Sequence, residues 1–487
     1  MRKRLGCLIL AVIICLNLIP VQNIQAAEPA FEKKVVATAE VISGGDLLIG
    51  HRILSGAKQE DGTYDFSSIF KYVDEYIQAA DYAVINLETS IAGKRIPYAG
   101  FPYFNTPESL IKDAKDAGFD LFLTASNHSY DCGYDGVMNK IKVLEQNEVD
   151  YIGTRKDESE SFHKVIDVNG ISIGMLNYAR ESLNSTKNMT IMNRIITGTG
   201  GNPQNVVVDK KGKEVISRYN GKYLKEFYKT LESDIQELKD QGAEIIVAYP
   251  HWGKEYNIGY RSLEDKIAQK MCDYGVDVII GGHPHVVEPT KVYTSDVSGK
   301  TTICIHSTGN FVSHLRKADN KKAGYYIEDG ALFCFKAEKY SDGTVAVAEA
   351  DVLPIWVKQS KGKYMVMPLE KDSVINKQSY KRTMDLTYEG IELFNNMAKI
   401  TEQPNSMVTF LGGITVLKIK TIGENPKYQW QYSEDGGNTW KNVKHKSGET
   451  EKLVMITSKK NKNHYYRCRV RTKGGTVYSK KAALIME

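Results

Sequence analysis

Short motifs rich in His, Asn, Asp and Glu follow apolar runs at five places in the sequence. The apolar runs have the length and composition of buried strands, so each motif falls where a strand should end and a loop should begin. Loops at the carboxyl edge of a sheet are where α/β proteins build their sites. The five motifs are Gly44–Asp46, Asn86–Glu88, Ser126–Asp131, Pro250–Glu255 and Gly282–His285.

The side chains of these motifs offer imidazole nitrogens, carboxylate oxygens and amide oxygens. Such a ligand set suits borderline or hard divalent cations. The sequence therefore predicts a metal-dependent hydrolytic or transfer site. Each motif alone is also compatible with a structural role, but five of them at five predicted strand ends favour one shared site.

The histidine and asparagine motifs are the most informative. His283 and His285 can reach one metal if the two glycines before them let the loop curl, and hydrogen-bonded loop histidines are the alternative. Asn127 offers a ligand oxygen, and its neighbour His128 can face a substrate as a general acid. Asp131 can orient His128, although a turn followed by a helix cap would use the same residues.

The remaining candidates have two or more interpretations each. Asp46 is either a metal ligand or the cap of a turn, and Glu88 is either a second carboxylate ligand or the partner of a nearby arginine. His251 is a ligand or stacks on the adjacent tryptophan. Glu255 is a base, a ligand or a support for the ligands.

The N-terminus has the pattern of a secretory signal peptide. Basic residues at Arg2–Arg4 precede the apolar run Leu5–Ile19, and small residues follow at Ala26 and Ala27. The run is short for a membrane span of roughly 20 residues, although a retained membrane anchor is the alternative. The sequence therefore predicts a signal peptide over 1–27 and an exported protein, extracellular or associated with the cell envelope.

Length and cysteine content limit the fold. A chain of 487 residues is expected to form two or more domains, and its 42% hydrophobic content is ordinary for a globular protein. The five cysteines after residue 27 are widely spaced and form no Cys-x-x-Cys pair, which argues against a disulfide framework and a zinc ribbon. They are Cys132, Cys272, Cys304, Cys334 and Cys468.

Charge is distributed unevenly along the chain. The segment 401–487 has 16 Lys and Arg against 7 Asp and Glu, a net charge of +9, whereas 28–400 carries −7. A basic C-terminal segment predicts an anionic partner, such as a cell-wall polymer or an acidic capsule. Export argues against nucleic acid as the partner, and a solvated surface without any partner is the alternative.

Strand and helix patterns alternate between the motifs, which predicts an α/β layered domain over 35–355 and a linker or extension over 356–403. We expect the hairpin Val165–Tyr178 around Asn169-Gly170. The polar stretch Asn184–Lys213 is interpreted as a long surface insertion and a candidate lid. The predicted helices are Glu108–Gly118, Gly133–Gln146, Tyr223–Gln241 and Leu263–Tyr274.

The segment 404–487 differs from the preceding α/β region. Its short alternating strands and aromatic residues predict a small β-sandwich. Tyr428–Trp440, together with Tyr465–Val470, resembles the immunoglobulin-like modules of bacterial surface proteins. That resemblance implies that Trp430 and Cys468 lie in the core of the module. The segment contains a single cysteine, so the disulfide of antibody domains is absent.

The order of the site motifs resembles the capsule-synthesis CapA family, which is associated with poly-γ-glutamate capsules. The fold of that family is similar to calcineurin-like metallophosphoesterases. The resemblance covers roughly Val35–Pro354. The motifs taken together in this order are specific for the family, whereas a single motif is not. The matching stretches are Gly45-Asp46 with Arg52, Asn86–Glu88, Ala125–His128 with Asp131 and Gly133, His251–Gly253 with Glu255, Gly282–His285 with Pro289, and Ser307 with Gly309–Phe311.

The resemblance implies an α/β/β/α domain with manganese, zinc or iron as its divalent metal. It implies that His128 protonates a leaving group, with Asp131 and Glu255 as further catalytic residues. The implied metal ligands are Asp46, Glu88, Asn127, His251, His283 and His285. The implied substrate-binding residues are Arg52, Ser307 and Asn310.

The sequence departs from the metallophosphoesterase pattern at two positions. The first motif of that family is usually Asp-x-His, whereas Leu48 stands two residues after Asp46. In the second motif, Glu88 replaces the usual Asp. A site with one metal and a site with two weaker metals therefore both stay open.

Three functions are consistent with these observations. The first is an exported metal-dependent enzyme that cleaves or transfers γ-glutamyl amide bonds of poly-γ-glutamate. The second is a metal-dependent phosphoesterase. The third is a non-catalytic envelope scaffold that binds an anionic polymer beside a membrane-associated capsule-synthesis machinery.

Overall fold

The computed structural model describes residues 34–157, 159–180, 194–195, 221–372 and 374–486. The predicted signal peptide 1–27 lies outside the described residues. So does the predicted insertion Asn184–Lys213, apart from the short strand Arg194–Ile195. Residues Val35 to Glu487 form one compact unit.

Helices and strands alternate over most of that unit, as the sequence predicts. The α-helices of the described ranges are α1 (His51–Ala57), α2 (Ser67–Phe70), α3 (Asp74–Gln78), α4 (Ser109–Asp116), α5 (Gly133–Gln146), α6 (Gly221–Asp240), α7 (Ser262–Tyr274) and α8 (Lys377–Asn396). The strands up to residue 368 are β1 (Val35–Leu47), β2 (Tyr82–Asn86), β3 (Leu121–Leu123), β4 (Asp150–Ile152), β5 (Lys164–Val168), β6 (Ile171–Arg180), β7 (Arg194–Ile195), β8 (Ile245–His251), β9 (Val278–Ile280), β10 (Val287–Thr294), β11 (Thr301–Thr308), β12 (Asn310–Val312), β13 (Asp329–Tyr340), β14 (Val345–Ser360) and β15 (Lys363–Pro368). The later strands are β16 (Lys399–Glu402), β17 (Met407–Thr409), β18 (Ile414–Lys418), β19 (Lys420–Ile422), β20 (Lys427–Ser433), β21 (Lys441–Asn442), β22 (Lys452–Ile456), β23 (Tyr465–Thr472), β24 (Gly475–Tyr478) and β25 (Ala482–Met486).

Two mixed sheets form the frame of the larger domain. The first has the strand order β15-β14-β13-β1-β2-β3-β4, with β12 paired to β1 in parallel. Strands β1 to β4 are parallel to one another, so their carboxyl ends lie at one edge. The second sheet has the order β10-β11-β9-β8-β6-β5, and its strands β6, β8, β9 and β11 are parallel.

Alternation along the strands buries both faces of each sheet. Val41 of β1 and Val247 of β8 belong to one cluster that joins the two sheets. Ile42, the next residue of β1, points the other way into a cluster with α1 to α4. On the second sheet, Ile246 packs with Phe227 of α6 and with residues of α7 in a third cluster.

The predicted local elements are present with small shifts at their ends. Helix α5 coincides with the predicted Gly133–Gln146, and β5 and β6 form the expected antiparallel hairpin. At the start of helix α7, the backbone N–H and the guanidinium of Arg261 both donate to the Glu264 carboxylate. The helix ends at Gly275, whose φ of 102° is the left-handed conformation that a glycine adopts readily.

The stretch 356–403, predicted to be a linker or extension, contributes elements to the larger domain. The end of β14 and the whole of β15 pair in the first sheet. Helix α8 adds Ile391 and Phe394 to the cluster between the sheets. Its Gly390 permits close packing, because a Cβ there would lie 2.2 Å from Thr290 Oγ1.

Strands β16 to β25 form further sheets around one hydrophobic cluster, and this region is called here the C-terminal domain. Trp430 and Cys468 are paired across β20 and β23, and both are fully buried in its core, as predicted. The indole Nε1 of Trp430 donates to the Thr450 carbonyl. All five cysteines after residue 27 are free thiols, which agrees with the absence of a disulfide framework.

No helix of the described residues is both long and apolar enough to cross a membrane.

Candidate metal centre

The carboxyl edges of the two sheets meet at a cluster of buried polar residues. Parallel pairing places Asp46 of β1 beside Asn86 of β2 on one side and Asn310 of β12 on the other. From the second sheet, His251 ends β8 and forms a parallel bridge with Gly282, which follows β9. Strand register therefore brings together motifs that lie far apart in the sequence.

Six of the predicted site residues converge at this edge. Asp46, Glu88 and His285 present ligand atoms that all lie within 4.8 Å of one another. Glu88, His251 and His283 form a second group with the same spacing. The two groups share Glu88. The sixth residue is Asn127, whose Oδ1 lies 2.7 Å from His251 Nε2.

Glu88 is the residue whose surroundings fit a cation best. Its side chain is fully buried, and neither carboxylate oxygen has a hydrogen-bond partner among the described residues. Its nearest basic atoms are His251 Nε2 at 3.3 Å and His285 Nδ1 at 3.7 Å. Because a buried carboxylate without donors is costly, these oxygens are suited to a positive charge between them and the histidines.

The histidines and carboxylates perturb one another strongly. Burial alone would lower the pKa of His285, but the charge of Glu88 and the hydrogen bond to Asp46 raise it to about 10. Burial alone would raise the pKa of Asp46, but the hydrogen bond to His285 and the charges of His251 and His285 lower it. Asp46 therefore stays ionised at neutral pH, as a metal ligand requires.

The loop after β9 adopts a backbone that few residues tolerate. His283 has a φ of 94° and His285 a φ of 60°, both in the left-handed region. A Cβ on Gly281 would lie 1.9 Å from the His306 carbonyl oxygen, and one on Gly282 would lie 2.7 Å from Asp46 Oδ1. The two glycines thus permit the close approach that lets the His283 N–H donate to Asp46 Oδ2 at 3.1 Å.

His128 is held beside this cluster by Asp131. Its Nδ1 lies 2.8 Å from Asp131 Oδ2, and the same oxygen accepts the Phe104 N–H at 2.9 Å. Burial would lower the pKa of His128, but Asp131 and the charge of Glu88 outweigh it and raise that pKa. The imidazole is consequently oriented through Nδ1, the nitrogen that contacts Asp131.

The remaining four predicted site residues also contribute no ligand atom to either group. Glu255 lies half-buried in the turn after His251, and its charge adds to the raised pKa of His285. Ser307 is buried, and its Oγ accepts the Gly309 N–H. Arg52 is exposed and forms a bidentate ion pair with Asp319, with both contacts at 2.9 Å. The fourth is Asn310.

Asn310 contacts His285, one of the candidate metal ligands, and not a substrate-binding space. It is buried, its Oδ1 lies 3.1 Å from His285 Nδ1, and its Nδ2 donates to the His285 carbonyl at 3.1 Å. These two contacts fix both the ring and the backbone of His285. Residues that orient a ligand in this way typically tune metal affinity.

Asn86 belongs to the site although the sequence analysis assigned it no role. Its Nδ2 donates to Asp46 Oδ1 at 2.6 Å and lies 3.0 Å from His251 Nδ1. It therefore orients one residue of each ligand group. Its position at the predicted end of β2, two residues before Glu88, was the signal available in the sequence.

Hydrogen bonds from two side chains involve the loop that follows His251. The indole of Trp252 donates to the His306 carbonyl at 2.9 Å, and Arg261 donates to the Gly253 carbonyl at 3.2 Å. Glu288 lies in the same region, and its Oε2 has no hydrogen-bond partner within the described ranges. Burial and the nearby Glu264 raise the pKa of Glu288 to about 8, against the opposing charge of Arg261.

With this geometry established, comparison with known proteins identifies the family. Residues 40–315 match the family model described as "Bacterial capsule synthesis protein PGA_cap", which is more than half of the chain. The chain belongs to this family. The match spans all five site motifs and ends shortly after β12, so the predicted relationship to the CapA family is confirmed.

Two curated relatives agree with that assignment. The chain is 24% identical over 344 residues to the capsule biosynthesis protein CapA of Bacillus anthracis, covering 68% of this chain and 70% of that protein. It is 25% identical over 349 residues to the PGA biosynthesis protein CapA of Bacillus subtilis (strain 168), covering 68% and 77%.

Among solved structures, the titin M10–obscurin-like 1 Ig complex aligns at 21% identity and a TM-score of 0.15. That alignment covers 18% of this chain and 93% of that one. A likeness at this score carries no argument about the fold.

The role assigned to Asn310 predicts a loss of metal affinity without a loss of folding. We expect Asn310→Ala to weaken binding of Mn²⁺ or Zn²⁺ roughly 10- to 100-fold in calorimetric titration, because His285 loses both of its supports. The matched control is Asn395→Ala, which removes a comparable pair of side-chain bonds to the backbone of Ala350. Equal affinities for the two variants would contradict the role of Asn310.

The environment of Glu288 predicts a pH-dependent stability. An unfolded glutamate has a pKa of about 4.3, so between that pH and about 8 the folded chain holds a proton that the unfolded chain has lost. The free energy of unfolding therefore falls as pH rises, with a contribution from Glu288 of roughly 1 kcal/mol per pH unit.

Urea unfolding at several pH values between 5 and 8 should show a shallower decline for Glu288→Gln than for the wild type. Glu60→Gln, at an exposed position, is the control. Identical slopes for Glu288→Gln and the wild type would show that Glu288 titrates normally.

Proposed function

We propose that this protein is an exported, metal-dependent enzyme of poly-γ-glutamate capsule biosynthesis or handling, which hydrolyses or transfers γ-glutamyl amide bonds. The observation that carries the proposal is the pair of buried candidate ligand groups that share Glu88, whose oxygens accept no hydrogen bond from the part of the chain that the structure describes. Family membership and the two CapA relatives supply the capsule context.

The two sheets and their outer helices correspond, in this proposal, to the α/β/β/α layers of a metallophosphoesterase-like domain. The three hydrophobic clusters support that assignment, because one joins the sheets and the other two join each sheet to its own helices. The C-terminal domain corresponds to an immunoglobulin-like module. Its support is the buried Trp430–Cys468 pair between β20 and β23.

The residues present fit one or two divalent cations, with manganese, zinc and iron as candidates. The residues that would hold them are Asp46, Glu88, Asn127, His251, His283 and His285. A cation bound there would polarise the substrate carbonyl and lower the pKa of a water molecule.

The chain's own residues supply the proton transfer. His128, oriented by Asp131, donates its proton to the departing amine as the amide C–N bond breaks. The carbonyl carbon takes the hydroxyl group of water in hydrolysis, or the nitrogen of a second amine in transfer, and the proton that this nucleophile loses returns to His128. Asn86 and Asn310 keep Asp46, His251 and His285 in place during these steps.

A phosphoesterase is the second candidate function, because buried carboxylates and imidazoles of this kind serve phosphoryl oxygens as well as carbonyl oxygens. An envelope scaffold is the third, and the +9 charge of 401–487 favours it. In each case we propose export through the N-terminal signal and an anionic polymer, poly-γ-glutamate or a cell-wall polymer, as the partner. Proximity to a membrane-associated capsule-synthesis machinery belongs to the same proposal.

Elemental analysis of the purified protein tests the metal centre. We expect stoichiometric divalent metal in the wild type and its loss in His283→Ala/His285→Ala, because that variant removes one histidine from each ligand group. The control is His445→Ala/His464→Ala, which removes two histidines of the C-terminal domain. Wild-type protein without metal after supplementation with manganese, zinc and iron would leave the scaffold as the function.

Activity of His128→Ala tests the catalytic assignment. We expect at least a 100-fold loss of turnover with unchanged metal content, because the leaving group then lacks its proton donor. Poly-γ-glutamate oligomers and an aryl phosphate ester serve as parallel substrates and separate the first two candidate functions. Turnover close to that of the wild type would contradict the role of His128.

A further inference from the structure

An exposed apolar patch lies at one end of the C-terminal domain, on β18, β22 and the turn before β18. Ile414 is 75% exposed, Phe410 66% and Ile456 65%, and Leu411 is also exposed. We call these four residues the apolar patch. So much apolar surface in one place is uncommon on a soluble protein without a partner.

Strand register and a tight turn hold the patch together. Ile414 of β18 pairs with Ile456 of β22 on the outer face, while the alternate residues of β18 point into the domain. The turn that carries Phe410 closes when the Gly413 N–H donates to the Phe410 carbonyl. Gly412 and Gly413 also exchange backbone hydrogen bonds with Thr457, the residue after Ile456. The patch is therefore a fixed feature of the domain.

Lysines adjoin the patch on one side. Lys459, Lys460 and Lys462 are exposed in the turn that follows β22, and they form no ion pair with a carboxylate of the described residues. Lys460 lines a groove of about 780 Å³ together with Ile414 and Ile456, so apolar and cationic side chains share one surface. That juxtaposition points to a partner with both apolar and anionic parts.

We propose that this end of the C-terminal domain docks on an anionic lipid membrane. The apolar patch enters the boundary between headgroups and acyl chains, and the three lysines bind the lipid phosphates. A soluble anionic polymer would satisfy the lysines but leave the apolar patch in water. A second copy of this chain would bring the same lysines face to face, where like charges repel.

Docking of this kind is independent of the chemistry at the metal centre. It would keep a catalyst or a scaffold at the membrane surface even after removal of the N-terminal apolar segment. The net charge of +9 in 401–487 adds a longer-range attraction to the same surface, while the −7 of 28–400 opposes contact through the larger domain. The charge distribution thus favours approach with the C-terminal domain first.

Vesicle sedimentation tests the proposal directly. The protein used begins at Glu28, which retains the compact unit Val35–Glu487 and removes the apolar run that would bind lipid by itself. We expect binding to vesicles of phosphatidylglycerol and phosphatidylcholine in equal parts, and at least tenfold weaker binding to phosphatidylcholine alone. Ile414→Ser/Ile456→Ser should lower the partition coefficient at least tenfold on the anionic vesicles.

The lysines have their own variant and a charge-matched control. Lys459→Gln/Lys460→Gln/Lys462→Gln should weaken binding at least tenfold and reduce its dependence on salt. Lys427→Gln/Arg471→Gln/Lys473→Gln removes the same charge at the opposite end of β20 and β23 and should change binding by less than threefold. Lys427 pairs with Arg471 there, whereas Ser433 and Tyr465 pair at the end near the groove.

The apolar variant has a matched control as well. Val297→Ser/Val374→Ser replaces two exposed apolar residues of the larger domain and should bind like the wild type. Tryptophan fluorescence, to which the buried Trp430 contributes, verifies that each variant is folded. Equal losses from both lysine triples, or no loss from the apolar variant, would overturn the proposal in favour of charge alone. Binding to soluble poly-γ-glutamate without binding to anionic vesicles would overturn it in favour of a polymer.

Discussion

The buried carboxylate of Glu88 is the constraint on which the rest of the centre depends. Its oxygens lie in the protein interior without a hydrogen-bond donor from residues 34–157, 159–180, 194–195, 221–372 or 374–486, and both candidate ligand groups include it. A charge in that position must be balanced, and the fold surrounds it with imidazoles from the second sheet. In the absence of a cation, the raised pKa of His285 supplies part of the balance, because the protonated ring is attracted to Glu88 and Asp46.

That arrangement requires backbone segments to approach more closely than most residues permit. Gly282 lies against Asp46, and His283 and His285 both adopt left-handed conformations. Strain of this kind persists only where surrounding contacts fix it. Asn310 supplies two such contacts to His285, and Asp46 accepts the His283 N–H. The centre is therefore held by asparagines and glycines as much as by its ligands.

The two domains divide the chemistry of the protein between them. The larger domain, with its net negative charge, holds the buried cluster of carboxylates and histidines. The C-terminal domain is strongly basic and exposes apolar residues on an outer strand face. Under the proposed docking, attachment through the basic region would let the acidic region work beside anionic lipids that would otherwise repel it.

The sequence by itself determined which residues could form the centre and where the local elements lie. Apolar runs of β-branched residues end at Asp46, Asn86 and His251, and this pattern suffices to place the motifs at strand ends because it depends only on neighbouring residues. Helix α5 and the hairpin of β5 and β6 were predictable for the same reason. The family match spans all of those motifs.

Only the tertiary structure decided how the candidates divide their roles. The sharing of Glu88 by two ligand groups, the contact of Asn310 with His285 and the pairing of Arg52 with Asp319 join residues far apart in the chain. The inclusion of β15 and α8 in the larger domain likewise depends on long-range pairing and packing. Local patterns limit which side chains are available, but the register between strands and the packing of sheets determine which of them meet.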